Sequence, residues 1–473
     1  MSRRAPIVLP SKDDAVVAST LGWLGGAVGR MARIGGTWWT PVRVLVAMAA
    51  AGYVVGYLLD LSCRGNGWAV PDRYEHLCYT DIAPLYSLRG FADGIVPYLQ
   101  PAADGQHLEY PVLTGVFMQA AAMLTSAVTA IVPTVDRVVA FFDVNVVLLF
   151  VALAVTVIAT ALTVRRRPWD AAMVALAPTM ILGATINWDL LPIAFAGVSL
   201  LLWSRKHPFA AGILLGLAVA AKFYPVLFLG GFLVLSLRTA RWKEFGLLVG
   251  GTALAWVVVN VPVAMASFDG WAHFYRFSST RGEDFGSLWY SMTQAGLPGI
   301  PAERLNLVAT GGFLVLCAGI AWIALSAPRR PRLAAVLFLI VAAFLITNKV
   351  YSPQYSLWLV PLAVMARPRW RDFLLWQVGE VVYFAAIWWF LAGYGIDDTT
   401  GLTGQQYATA VIVHVVATGY FAIMVIRDIY APEHDPVRQD GFADDSDDPG
   451  GGPYDGAPDR FTLGRGPRQS AMS

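Results

Sequence analysis

A series of long apolar stretches constrains this chain more than any other feature of its sequence. A helix needs about 20 mainly apolar residues to cross the roughly 30 Å hydrocarbon core of a bilayer. Charged residues make up only 14% of the 473 residues, against about 25% in soluble domains. The sequence therefore predicts an all-α polytopic membrane protein and excludes a soluble enzyme, a coiled coil and a wholly disordered chain. The predicted spans are 43–61, 111–132, 137–164, 170–186, 190–203, 208–222, 224–237, 244–263, 306–326, 333–347, 355–366, 372–393 and 407–426.

Clusters of basic residues predict which side of the membrane each connection faces. Cytoplasmic loops carry an excess of Lys and Arg, which places the clusters at 165–167, 205–206, 238–243, 329–332 and 367–371 on the cytoplasmic side. If 111–132 crossed, the first of these clusters would fall outside. We therefore expect 111–132 to be a re-entrant or interfacial helix, which leaves about 12 crossings. The alternative is one more crossing and a broken charge pattern.

This topology divides the chain into three parts. Residues 1–41 are predicted to be a cytoplasmic N-terminal segment without a cleavable signal peptide. Residues 42–427 form the transmembrane domain, with external loops 62–110 and 264–305. Residues 428–473 are predicted to be a disordered acidic cytoplasmic tail, because their composition is too polar to bury a core.

The chain has three cysteines. Cys63 and Cys78 both fall near the first external loop, where they could form a disulfide in an oxidising compartment or remain two free thiols. Cys317 lies in an apolar span and is expected to pack as a small hydrophobic residue.

Two of the lysines are not explained by the charge rule. Lys222 and Lys349 lie at predicted external ends of spans. A cation there suits an anionic partner such as a phosphate, and the alternative is a lysine that snorkels to the outer headgroups.

Asp81 stands among apolar and aromatic residues just beyond the first span. Partial desolvation would raise the proton affinity of this carboxylate, which suits a general base acting on a hydroxyl. The alternative is that Thr80 or Asp81 caps a helix that begins at Ile82.

Several polar breaks interrupt the spans on the same predicted side. They are Asn187-Trp188-Asp189, Lys222 followed by Tyr224-Pro225, and Ser352-Pro353-Gln354-Tyr355 after Lys349. Each can be a tight connection, but irregular backbone at membrane depth is tolerated where it lines a cavity. The breaks together predict a shared external cavity.

The second external loop is rich in aromatic residues and carries His273, Arg276 and Arg281. These could stack a sugar and hold a phosphate, or form an interfacial aromatic belt with snorkelling arginines. Within the spans, Glu380 and His414 are expected to be paired structurally.

The sequence lacks a Walker loop, a dinucleotide-type GxGxxG after a strand and an HExxH motif. An enzyme of this kind, working on the outer face, would need a lipid-linked, pre-activated donor. The formal net charge of +2 gives no sign of a nucleic-acid partner.

The ordered set of motifs resembles the GT-C glycosyltransferases, and within them glycosyltransferase family 87, the polyprenol-phosphate-mannose-dependent mannosyltransferases of actinobacterial envelopes. The resemblance runs from about residue 42 to 427 and rests on Asp81, Tyr110-Pro111, Asn187, Lys222-x-Tyr224-Pro225 and Ser352-Pro353-Gln354-Tyr355. The chain departs from the family pattern at Val112, where relatives have a second Pro, and at Thr185, where relatives have Gln.

The resemblance implies a GT-C-type fold and an inverting sugar transfer with Asp81 as catalytic base. It implies that Lys222, Lys349, Arg276 or Arg281 stabilises a leaving phosphate, that His273 assists, and that neither a metal nor another cofactor is required. The expected partners are a polyprenyl-phosphate sugar donor and a glycolipid or glycan acceptor at the plasma membrane. The candidate substrate-binding residues are Arg89, Tyr110, Asn187, Asp189, Lys222, Tyr224, His273, Arg276, Arg281, Lys349 and Gln354.

Two other functions stay open at this point. A transporter or flippase of lipid-linked precursors would carry polar residues through the whole depth of its helices. A non-catalytic assembly factor would recruit partners through the acidic tail.

Overall fold

The computed structural model describes residues 7–9, 14–23, 38–394, 401–439 and 447–463. Every regular element in these ranges is a helix, and none of them contains a strand. The prediction of an all-α polytopic membrane protein is confirmed.

Within these described ranges, seven helices are long and apolar enough to cross a membrane. They are α2 (Pro41–Asn66), α5 (Val112–Ile131), α6 (Arg137–Thr163), α12 (Trp242–Ala266), α15 (Ala302–Ser326), α18 (Trp370–Gly393) and α19 (Gly404–Tyr430). Shorter apolar helices lie between them: α9 (Leu190–Ser204), α10 (Pro208–Ala221), α11 (Phe228–Thr239, preceded by a 3-10 turn Tyr224–Leu227) and α16 (Leu333–Thr347).

The remaining helices are short or lie in connections. They are α1 (Ala15–Trp23), α3 (Asp72–Glu75), α4 (Ile82–Leu88), α7 (Ala172–Ala175), α8 (Pro178–Gly183), α13 (Phe268–Thr280), α14 (Leu288–Gln294) and α17 (Ser356–Ala366). Each predicted span coincides with helical structure, although 170–186 is broken into a 3-10 turn (Pro168–Ala171), α7 and α8.

Polar residues fix where the apolar helices begin. The Thr40 hydroxyl accepts from the Arg43 amide before Pro41, and the Asp136 carboxylate accepts from the first amides of α6. Thr403 and Gln406 form a capping box at the start of α19. These side chains satisfy amides that have no partner within the helix.

The bundle has two chemically different ends. At the basic end, Arg205 donates to the Leu162 carbonyl at 2.8 Å, and Arg332 donates to the carbonyls of Met365 and Ala366. At the opposite end, which we call the site end, Lys222 and Asp189 meet at 2.8 Å. Every basic cluster noted in the sequence lies at the basic end, so the helices alternate in direction as the charge pattern predicts.

Helix α5 begins and ends on the same side of the bundle. At its start, the Thr114 hydroxyl donates to the carbonyl of Ala221, beside Lys222. Six residues after its end, Arg137 lies 6.0 Å from the ring of Tyr86, in α4. The first turns of α6 lie at the site end, because Asp143 pairs with Arg64 in the last turn of α2 and Asn145 accepts from the Trp188 indole. A short connection joins α5 to this start of α6, so α5 also ends on that side. This geometry fits an interfacial helix and about 12 passes for the other described helices.

The prediction of a disordered tail is wrong for residues 447–463. Tyr454 is fully buried, with its ring 5.1 Å from that of Trp203 and its hydroxyl donating to the Phe232 carbonyl. Trp203 in turn donates to the Gly451 carbonyl at 2.9 Å. The tail is therefore seated in the basic end of the bundle.

The aspartates of the tail explain why composition misled the prediction. Asp435 pairs with Arg332 at 2.7 Å, Asp447 with Arg330 at 2.9 Å, and Asp459 with Arg238 at 2.6 Å. The tail needs no core of its own, because it adds one aromatic side chain to an existing core and supplies counter-charges to helix ends. Residues 440–446 and 464–473 of the predicted tail lie outside the described residues.

A covalent bond closes the first part of the first external loop. Cys63 and Cys78 form a disulfide, which settles the choice between a bridge and two free thiols. The bridge ties the last turn of α2 to the segment that leads directly into Asp81.

Only parts of the predicted N-terminal segment 1–41 are described. Val8 donates to the Arg166 carbonyl at 2.8 Å, and the Asp14 carboxylate accepts from the Trp370 amide at 3.0 Å. Both contacts lie at the basic end, on the side where the segment was predicted. The rest of it lies outside the described residues.

The seated tail predicts a stability effect for Tyr454→Ala. Removing a fully buried aromatic side chain costs about 3 kcal/mol or more, so the melting temperature in detergent should fall. Phe461→Ala is the matched control, because Phe461 is an exposed aromatic residue of the same tail. Equal melting temperatures for the two variants would contradict the seating of the tail.

Candidate active site

Asp81 is held by backbone contacts to the segment before α9. Its amide donates to the Ile186 carbonyl at 2.7 Å, and the Thr80 hydroxyl donates to the Thr185 carbonyl at 2.7 Å. The Ile82 amide donates to the Thr80 hydroxyl at 3.1 Å, so Thr80 takes the capping role at the start of α4. The Asp81 side chain makes no cap hydrogen bond, which leaves its carboxylate for other partners.

Two tyrosines hold the Asp81 carboxylate. The Tyr79 hydroxyl donates to Oδ1 at 2.7 Å and the Tyr110 hydroxyl to Oδ2 at 3.3 Å. Burial raises the pKa of Asp81, while the hydrogen bond from Tyr79, the charge of Lys222 and the hydrogen bond from Tyr110 oppose the rise. The result is an oriented carboxylate with a higher proton affinity than a solvated one.

Lys222 lies across from Asp81 and forms an ion pair with Asp189. Lys222 is the residue after α10, in extended conformation, and its Nζ lies 2.8 Å from Asp189 Oδ1. The Trp358 indole donates to Asp189 Oδ2 at 3.0 Å. Because the Asp189 side chain is only 2% exposed, its charge needs these partners.

Asn187 shapes the turn that presents Asp189. Its side-chain oxygen accepts from the Asp189 amide at 2.9 Å, which is the tight-connection role considered from the sequence. Between the two residues, Trp188 packs edge-on against the ring of Tyr110. Asn187 therefore acts on the arrangement of the site through Asp189.

Aromatic rings surround the Lys222 ammonium. It lies 5.4 Å from the ring centre of Tyr110 and 5.2 Å from that of Tyr355. Trp358 is stacked between Tyr355 at 4.0 Å and Tyr224 at 4.2 Å. Tyr224 therefore packs against Trp358 on the side away from Tyr355. The aromatic ring faces stabilise the ammonium of Lys222.

Lys349 fastens the second external loop to the site end. Its Nζ donates to the Ser279 carbonyl at 3.1 Å and to the Arg281 carbonyl, at the end of α13. Burial and the nearby charge of Arg281 lower the pKa of Lys349. Its hydrogen bonds to these carbonyls define a loop-holding role.

Arg281 extends the positive charge of the site. Its guanidinium pairs with Asp284 at 3.0 Å and is 37% exposed. It also lies near the hydroxyls of Tyr355 and Tyr110. The site end therefore gathers Asp81, Tyr110, Asn187, Asp189, Lys222, Tyr224, Arg281 and Lys349 from the predicted set.

Four predicted site residues lie elsewhere or have another environment. Arg89 is engaged by Glu109 at 2.6 Å and by Asp104 at 2.9 Å, so internal carboxylates occupy its guanidinium. Arg276 forms an exposed pair with Asp269. In the described part of the chain, the other two, His273 and Gln354, are not among the groups that interact with Asp81 and Lys222.

His273 and Gln354 differ in their surroundings. The His273 ring lies in α13, 6.2 Å from that of His107, on the outer loops. Gln354 is 7% exposed, and its Oε1 has no hydrogen-bond partner within the described part of the chain.

Sequence reasoning missed three residues of the site: Tyr79, Tyr355 and Trp358. Tyr79 stands two residues before Asp81, and Tyr355 closes the Ser-Pro-Gln-Tyr break, so both had a local signal. Trp358 lies inside an apolar span, where a tryptophan predicts only packing. Its hydrogen bond joins residues 169 positions apart and has no local signature.

A buried polar cluster lies beside the site, between α18 and α19. His414 Nδ1 lies 3.4 Å from Glu380 Oε2, and Trp376 and Thr418 donate to Glu380 at 2.9 Å. The Tyr351 hydroxyl also donates to Glu380. The paired arrangement expected for Glu380 and His414 is present, and it supports the turn that carries Lys349.

Comparison with known proteins identifies two similarities. Residues 119–347 match the model of glycosyltransferase family 87, so the resemblance inferred from the motifs is confirmed. This match includes Asp189, Lys222 and Arg281 but not Asp81 or Lys349. The chain is also 28% identical over 176 residues to GPI mannosyltransferase 1 of Eremothecium gossypii, an alignment that covers 35% of this chain and 44% of that relative.

The buried Lys222–Asp189 pair predicts non-additive effects on stability. Asp189→Asn or Lys222→Gln alone leaves one buried charge without its partner, which should cost about 3 kcal/mol. The double variant should cost less than the two single costs combined, because it leaves no unpaired charge. Thermal unfolding in detergent measures both.

The exposed pair Arg276–Asp269 is the matched control for this cycle. Asp269→Asn and Arg276→Gln should each change stability by less than about 0.5 kcal/mol. Additive losses at Asp189 and Lys222 would show that the two side chains are not coupled.

Proposed function

Since residues 119–347 resemble glycosyltransferase family 87, we propose that this chain is a membrane glycosyltransferase with its active site at the site end. The sugar is mannose, the donor is a polyprenyl-phosphate sugar, and the acceptor is a cell-envelope glycolipid or glycan. One observation carries the proposal: the buried Asp81 carboxylate, held by two tyrosines, lies in the electrostatic field of Lys222. A base beside a cation is what transfer from a lipid phosphate needs.

The reaction is a single displacement at the anomeric carbon. Asp81 takes the proton of an acceptor hydroxyl, and the oxygen of that hydroxyl forms the new bond to the anomeric carbon. The bond from that carbon to the phosphate oxygen breaks, and polyprenyl phosphate leaves with the electron pair. Because attack and departure occur on opposite faces, the configuration is inverted.

The positive groups of the site would stabilise the leaving phosphate. Lys222 is prepared for this role, since its ammonium is already ordered by Asp189 and by aromatic ring faces. Arg281 supplies a second, partly exposed cation, and Lys349 holds the loop that carries it. Ordered donors stabilise developing charge without reorganisation during the reaction.

The proposed location is the plasma membrane, with the site on the external face. The support is the distribution of charge, since basic clusters favour the cytoplasmic side and lie at the end of the bundle opposite Asp81. The Cys63–Cys78 disulfide next to Asp81 also favours an oxidising, external compartment.

The Asp81→Asn variant tests the base directly. General-base catalysis contributes about 10²–10⁴-fold, so transfer should fall by about that factor while the melting temperature stays close to that of the wild type. The assay incubates the purified protein with polyprenyl-phosphate mannose and extracted envelope lipids, and mass spectrometry reads the products.

Asp104→Asn is the matched control, because Asp104 is an exposed carboxylate of the same external loop. It should retain full activity. Full activity of Asp81→Asn would contradict the assignment of Asp81 as the general base. Lipid movement across proteoliposomes without any product would instead favour a transporter.

The contacts of Asp81 also predict a change in the pH profile. The base acts when deprotonated, so kcat/KM should rise as pH rises through the pKa of Asp81. The Tyr79 hydroxyl stabilises the carboxylate and lowers this pKa, and Tyr79→Phe should therefore move the acidic limb to higher pH. The measurement is kcat/KM across the acidic range.

Tyr74→Phe is the control for this shift. Tyr74 stacks on Tyr79 at 5.8 Å, but its hydroxyl accepts from Arg73. Tyr74→Phe should leave the acidic limb of the kcat/KM profile unchanged. If the acidic limb moved equally in both variants, the cause would be disturbed packing and not a direct effect on the pKa of Asp81.

A further inference from the structure

A groove with apolar walls and two arginines opens at the basic end of the bundle. It has a volume of about 290 Å³ and is lined at the start of α2, the end of α6 and the connection after α9. The lining residues are Ile7, Pro41, Val42, Ala161, Leu162, Arg165, Pro168 and Arg205. All lie far from Asp81 along the helices, so the groove is separate from the candidate active site.

The two arginines differ from most basic residues at this end. Elsewhere, carboxylates neutralise the arginine clusters, as in Arg332–Asp435 and Arg367–Asp372. Within the described ranges, neither Arg165 nor Arg205 has a carboxylate within ion-pair distance, and the nearby charge that affects Arg205 is that of Arg165. Burial and the like charge of Arg165 lower the pKa of Arg205, so the two guanidinium groups repel each other.

Arg205 retains free hydrogen-bonding capacity. One of its terminal nitrogens donates to the Leu162 carbonyl at 2.8 Å, which fixes the side chain at the groove. A guanidinium has five N–H donors in a planar fork that matches phosphate oxygens. An anion between Arg165 and Arg205 would remove their repulsion.

The position of the groove indicates what carries the anion. It lies at the ends of apolar helices, beside Trp38 and Trp39, which are each 66% exposed and precede α2. Exposed tryptophans at span ends are typical of the headgroup level. Apolar walls next to two neighbouring cations suit a molecule with a phosphate and a hydrocarbon chain.

We propose that this groove binds an anionic phospholipid, with the phosphate between Arg165 and Arg205 and an acyl chain along Val42, Ala161 and Leu162. The binding fastens the ends of α2, α6 and α9 to each other through the lipid. It is independent of the proposed transfer reaction, since it uses neither Asp81 nor Lys222.

Lipid titration of the purified full chain in detergent tests the proposal, with native mass spectrometry as readout. The probes are dioctanoyl phosphatidylglycerol and dioctanoyl phosphatidylcholine. The wild type should bind the anionic lipid about 30-fold more tightly, since each of the two arginines contributes about fivefold. Arg165→Gln/Arg205→Gln should lose this preference.

Lys243→Gln/Arg427→Gln is the matched control, because it removes the same charge from exposed positions at the same end. It should keep the preference. Since Arg165 is exposed, Arg165→Gln alone should fold normally and lose about fivefold in affinity for phosphatidylglycerol.

Three results would overturn the proposal. One is equal binding of the two lipids by the wild type. Another is an unchanged preference in both Arg165→Gln and the double glutamine variant. The third is displacement of phosphatidylglycerol by an equal concentration of inorganic phosphate, which would mean that the walls contribute nothing and the site takes free anions.

Discussion

The cost of charge inside an apolar bundle determines how this molecule is arranged. A charged side chain at the centre of a bilayer costs about 2.5–3.5 kcal/mol on insertion scales, and the chain meets this constraint differently at its two ends. At the basic end, arginines at helix ends pair with aspartates of the tail. At the site end, the Lys222–Asp189 pair, with Trp358 and the aromatic rings around it, allows two opposite charges to remain beside Asp81. This ion pair therefore determines where the ammonium of Lys222 lies relative to Asp81.

The sequence predicted the features that depend on local patterns. Apolar runs located the helices because burial in hydrocarbon requires a continuous apolar segment, and the basic clusters ordered their directions. Asp81, Asn187, Lys222 and Tyr224 could be selected because each interrupts an apolar pattern. The interfacial position of α5 followed from the same charge argument and agrees with the contacts of Thr114 and Arg137.

Features that depend on pairing between distant segments could not be predicted. Arg89 seemed available for substrate, but its partner Glu109 stands 20 residues away, and Lys349 is directed to carbonyls 68 and 70 residues away. The tail is the largest case. Its composition excludes a core of its own, yet Tyr454 enters a core already formed by Trp203 and Phe232. Composition indicates whether a segment can form a core alone, whereas the order of this tail depends on the helices against which it packs.

The two carboxylates of the site have different environments, and this difference assigns their roles. Asp189 is bound by a lysine at 2.8 Å and an indole at 3.0 Å, so its negative charge is fully used in holding Lys222. Asp81 accepts hydrogen bonds from two neutral tyrosine hydroxyls. The charge of Lys222 acts on Asp81 without a hydrogen bond, and the like charge of Asp189 opposes it. Under the proposed function, Asp81, whose pKa is raised by burial, exchanges the proton, and Asp189 orders Lys222 for the leaving phosphate.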